Sequence, residues 1–89
     1  MARVLVSMKI FPSDIDVNLE ELKKEIVKKI PSFASIHKFE EEPIAFGLVA
    51  LIAYIVLPED RSGGIDEVES SLQKIEKISD FQTLMVSRV

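Results

Sequence analysis

From Ile44 to Leu57 the chain carries no charge for 14 residues and is almost entirely Ile, Val, Leu and Ala. A helix needs about 20 apolar residues to cross a bilayer, so this stretch cannot span a membrane. It is also long for a strand, and its own residues divide it. Pro43–Gly47 is a break, and Leu48–Leu57 reads as one continuous strand rich in Val, Ile and Leu. A strand apolar on both faces belongs at the centre of a sheet. If Leu51, Ala53, Ile55 and Leu57 face covering helices, then Leu48, Ala50, Ile52, Tyr54 and Val56 lie on the opposite face.

The rest of the chain supplies the partners. Ala2–Phe11 alternates, with Val4, Val6, Met8 and Ile10 on one face and Arg3, Ser7, Lys9 and Leu5 on the other, the period of a half-buried strand. Turn residues follow in Phe11-Pro12-Ser13-Asp14. Asn18 stands at a helix cap position with Glu21 as its reciprocal partner, so a helix begins near Leu19. Leu19, Leu22, Ile26, Val27 and Ile30 form its apolar stripe, and Pro31 stops it. Phe33–Phe39 reads as an edge strand ending in Glu40, Glu41 and Glu42. After the Pro58–Gly64 loop, Ile65, Val68, Leu72, Ile75 and Ile78 recur at helical spacing, and Phe81–Val89 closes the chain as a strand.

The order strand, helix, strand, strand, helix, strand predicts an α+β fold, the ferredoxin-like βαββαβ sandwich. Each helix has one apolar stripe, so both pack on one face of a four-stranded antiparallel sheet. Right-handed crossovers make the first and third strands central. A length of 89 residues allows one domain, 1–89, and 47% hydrophobic with 29% charged residues is the balance of a folded chain.

Composition also removes chemistries. The net charge of -4 opposes the neutralisation of phosphates, so no direct nucleic-acid contact is expected. With no cysteine and one histidine, disulfide frameworks, thiolate metal sites and Cys-His or Ser-His nucleophiles lack their parts. Lys9 interrupts any apolar signal core, and the expected location is the cytoplasm. His37, between Ile36 and Lys38, reads as a structural or solvated imidazole. Glu40, Glu41 and Glu42 point alternately to opposite faces of an extended segment, which suits a solvated strand end better than a cation site. The loop after the first strand has neither the Cys-x-x-Cys of a metal chaperone nor the glycine cradle of an acylphosphatase. Two features are left. Phe46 precedes Gly47 at the break, where a core aromatic beside a turn glycine is the plainer reading. Arg88 is penultimate, where a surface charge at a frayed end is the plainer reading.

Taken together and in order, the residues resemble the elongation factor 1 beta family, in its archaeal form and in the C-terminal catalytic domain of the eukaryotic homologue. Lys9-Ile10-Phe11-Pro12-Ser13-Asp14 leading into Leu19-Glu20-Glu21-Leu22 is similar to that family's Lys-Pro-Trp-Asp and Leu-Glu-Glu. Pro43-Ile44-Ala45-Phe46-Gly47-Leu48 is similar to Pro-Ile-Gly-Phe-Gly-Ile, and Val56–Arg61 to Val-Val-Glu-Asp-Asp-Lys. The likeness runs from end to end. It departs at Val49 and Ala50, where the family has two lysines, at Ala45 in place of a glycine, and at the missing tryptophan. The final strand aligns only after a shift of about two residues.

The resemblance implies a translation elongation factor that promotes exchange of GDP for GTP on the GTPase elongation factor 1 alpha. Such a factor makes and breaks no bonds and needs no cofactor. It further implies that Phe46 wedges against the GTPase and that Arg88 stands where a family lysine enters the magnesium site. The chain is then a monomer, not an enzyme. The competing reading is a small-molecule-sensing or oligomerisation module of the same fold, supported by the apolar open face of the third strand.

Overall fold

The computed structural model describes residues 3–58 and 63–88. Its elements are β1 (Arg3–Pro12), α1 (Leu19–Lys29), β2 (Ser35–Pro43), β3 (Val49–Pro58), α2 (Gly64–Gln73) and β4 (Ile78–Arg88). They form one antiparallel sheet in the order β2-β3-β1-β4, with β1 and β3 central, and the fold is ferredoxin-like.

The core joins Val6, Met8 and Ile10 of β1 to Leu51, Ala53, Ile55 and Leu57 of β3, with Leu22 and Ile26 of α1 and Val68 and Leu72 of α2. Even positions of β1 and odd positions of β3 share a face because Val6 pairs with Ile55 and Ile10 with Leu51. Both helices therefore cover the face expected for them, and the other face of the sheet is open.

Local chemistry sets the ends of α1. Asn18 accepts from the N–H groups of Glu20 and Glu21, at 3.0 and 3.2 Å, satisfying two of the free donors of the first turn. The reciprocal half of the expected cap gives way to a tertiary contact: the Glu21 carboxylate lies 3.6 Å from Lys77. Lys28 and Lys29 close the helix at its negative end.

Three boundaries differ from the sequence reading. β2 starts at Ser35 and runs through the glutamates to Pro43, because their alternation suits a strand with one face toward α1 and one toward solvent. Glu41 meets Lys23 of α1 at 3.3 Å, whereas Glu40 and Glu42 turn to the open face. The second helix ends at Gln73. The N–H groups of Lys74 and Ile75 bond three residues back, to Ser71 and Leu72, and this tighter turn carries Ile75 into the core. Ile78 consequently begins β4, three residues earlier than alternation alone suggests. Of the Pro58–Gly64 loop and the Val56–Arg61 motif, residues 59–62 lie outside the described residues.

Candidate partner-binding site

Phe46 sits at the tip of the β2–β3 hairpin. Leu48 N–H donates to the Ala45 carbonyl at 2.9 Å, and both central residues have positive φ, 53° at Phe46 and 81° at Gly47. These are the requirements of a type I′ turn, whose twist matches that of the flanking strands. Glycine takes this conformation freely, and phenylalanine does not. Phe46 is the one non-glycine residue with positive φ among those described, and it is 97% exposed. The plainer reading of a core aromatic is thus overturned. A large apolar side chain is held in solvent by a strained turn, and such strain is found where a side chain has work to do outside its own fold.

Arg88 is the last residue of β4 and pairs with Val4. It belongs to the sheet rather than to a loose tail, so any surface it reaches must meet the end of the domain. It shares the helix-side face with Val86, next to an open groove of about 420 Å³ that Val4, Leu57, Val86 and Asp66 help to line.

The two residues are not brought together. The Phe46 turn lies beyond the Val49 end of β3, and Arg88 lies level with Leu57 through Val4, so the two are separated by more than the eight residues, or about 26 Å, from Val49 to Leu57. They mark opposite ends of a body measuring 42 × 21 × 17 Å.

The open face is less apolar than the sequence of β3 suggests. Lys9 reaches Glu42 at 3.3 Å and stands 5.6 Å from the Phe11 ring centre. Tyr54 donates its hydroxyl to Glu40 at 2.6 Å, and Lys38 contacts the same carboxylate at 3.4 Å while lying 4.8 Å from the Tyr54 ring centre. The hydrogen bond from Tyr54, aided by the Lys38 charge, lowers the Glu40 pKa from the usual carboxylate value, and the same bond raises that of Tyr54. Ile52, Tyr54 and Val56 are half-buried on this face.

No group of three or more His, Asp or Glu side chains suited to a metal occurs among the described residues. His37 is exposed at a bulge between Ile36 and Lys38. Sequence reasoning missed one further surface, the exposed run Leu84, Met85 and Val86 on β4. Its signal was available: in a strand with one covered face, three consecutive apolar residues cannot all point inward.

Residues 5–89 match the family described as the EF-1 guanine nucleotide exchange domain. The chain belongs to this exchange-domain family. Proteins named Elongation factor 1-beta are similar over its full length. That of Staphylothermus marinus is 43% identical, covering 100% of this chain and 99% of its own. That of Methanothermobacter thermautotrophicus is 45% identical with the same coverage. Among solved structures, the C-terminal domain of the MgtC protein from Mycobacterium tuberculosis superposes with a TM-score of 0.64 at 10% identity, over 92% of this chain and 85% of that one. The designed protein Foldit4 superposes at 0.57 with 20% identity, over 98% and 96%. These two likenesses concern the fold alone. Within the exchange-domain family the matched region includes both Phe46 and Arg88. No helix among the described residues is long and apolar enough to cross a membrane.

Proposed function

We propose that this protein promotes exchange of GDP for GTP on elongation factor 1 alpha in the cytoplasm, acting as a monomeric single domain through binding alone. Membership of the exchange-domain family gives the class of activity. The observation that carries the reading to a site is Phe46, 97% exposed on a strained turn inside the Pro43–Leu48 motif. Exchange needs no chemical step. A protein that binds the nucleotide-free GTPase better than the GDP-bound form lowers the affinity for GDP, and GDP lowers the affinity for the protein by the same factor.

Phe46 anchors the complex by burying its ring in the partner, an aromatic contact of the kind that dominates interface energetics. Arg88 supplies charge. Magnesium and GDP phosphates are held mainly by electrostatics, so a guanidinium brought beside them competes with the metal and loosens the nucleotide. Because the residues stand more than about 26 Å apart along the strands, they engage two separate places on one partner. The apolar third strand, which favoured the oligomerisation reading, is accounted for by its central position, and its open face also carries the Lys9–Glu42 and Lys38–Glu40 pairs.

The test is release of labelled GDP from elongation factor 1 alpha by catalytic amounts of the chain. Wild type accelerates release, while Phe46→Ala and Arg88→Ala each lower the acceleration by at least about tenfold, with thermal unfolding little changed. No acceleration by wild type rejects the function, and full acceleration by both variants rejects the residue assignments.

A further inference from the structure

We infer that the outer edge of β4 at Leu84, Met85 and Val86 is part of the surface that receives the GTPase. This rests on the exchange reading above and extends it to residues with no assigned role. β4 is an edge strand of the sheet, so one side of its backbone has no strand to pair with. Helix α2 covers its first half, where Phe81 and Ile78 pack on the core and Thr83 donates to Glu69 at 3.3 Å. Beyond Thr83 the cover thins, and Val86 borders the open groove beside Asp66 in the first turn of α2. Leu84, Met85 and Val86 are 49%, 61% and 51% exposed, although Val6, the partner of Val86 in β1, is 1% exposed.

Edge strands in natural proteins are usually blunted by lysine, proline or a covering element. From Phe81 to Ser87 β4 has no charged residue and no proline. Among the described residues a bulge at Ser7/Met8 is the one blunting device there, and it leaves three apolar side chains about half exposed. The position of Arg88 on the same strand points to what covers them. Met85 is three residues from Arg88, about 10 Å, and Leu84 about 13 Å. A standard protein interface takes about 800 Å² from each partner, so a round patch centred on Arg88 reaches about 16 Å and includes all three. The occupant is therefore a protein surface, apolar and able to offer backbone hydrogen bonds to an open edge. Phosphate is a poor match, since Arg88 is the sole cation of β4.

The experiment measures binding of nucleotide-free elongation factor 1 alpha to the full chain by titration calorimetry, with sedimentation of each protein alone. Met85→Lys and Val86→Lys each weaken binding by about tenfold or more, while Val27→Lys, which charges an equally exposed apolar residue on α1, leaves it unchanged. Circular dichroism checks folding, and Met85→Gln replaces any lysine variant that melts early. Edge variants that bind like wild type overturn the inference with the exchange reading intact. A wild-type dimer dissociated by the edge substitutions also overturns it, because a second copy then covers the strand. Failure of wild type to bind removes the exchange reading itself.

Discussion

At residue scale, Phe46 joins the clearest conflict between local structure and function. A β-branched or aromatic side chain at positive φ costs roughly 1 kcal/mol, and the type I′ turn prefers Asn-Gly at the positions held by Phe46 and Gly47. Phe46→Asn is expected to raise Tm by about 2–8 °C while GDP release falls toward the uncatalysed rate. Thermal melts beside the exchange assay check this, and a Tm that falls would mean that the ring contributes more to the fold than its exposure allows. The identity of the residue was legible in the Pro43–Leu48 motif. Its exposure was not, because a phenylalanine next to a glycine suits a buried corner equally well until the hairpin register is known.

The element scale is where cross-strand chemistry replaces pattern. Pairing of β2 with β3 brings Glu40, Tyr54 and Lys38 together on the open face, a juxtaposition that residue spacing did not reveal, since the bulge between Ile36 and Lys38 changes the register. Glu40 has a lowered pKa chiefly because it accepts the Tyr54 hydroxyl, and secondarily because of Lys38. For a depressed carboxyl the contribution to stability is present above the ordinary carboxylate value and is lost as pH falls through the lowered one. Tyr54 is raised, so its contribution holds below the ordinary phenol value and is lost as pH rises through the raised one. The contact thus persists from mildly acidic to alkaline solution. In Tyr54→Phe the Glu40 titration, followed by carboxyl NMR, moves up toward the usual value but stays partly lowered by Lys38. An unmoved titration would show that the hydroxyl is not the main cause.

Across the whole molecule, the sheet sets the separation of the two proposed contact residues. Phe46 and Arg88 lie more than about 26 Å apart along the strands. Substitutions at such distances act independently unless a shared element couples them. Phe46→Ala combined with Arg88→Ala is accordingly expected to reduce the binding of elongation factor 1 alpha by the product of the single effects, within about twofold, in a double-mutant cycle. A double variant no weaker than the worse single one would mean that the two ends report a single event.

The sequence alone determined the two amphipathic helices, the central placement of β1 and β3 and the helix-facing residues of β3, because hydrophobic period and crossover handedness leave few alternatives. It also singled out Phe46 through the Pro43–Leu48 motif, and Arg88 through its penultimate position and the family resemblance. Only the tertiary structure decided that Glu21 meets Lys77, that the second helix stops at Gln73, that the Lys9–Glu42 and Lys38–Glu40 pairs form on the open face, and that Leu84–Val86 are about half exposed beyond Thr83. Those outcomes depend on where one element ends over another. Periodicity along a chain describes which face of an element is apolar, but not how far its neighbour extends across it.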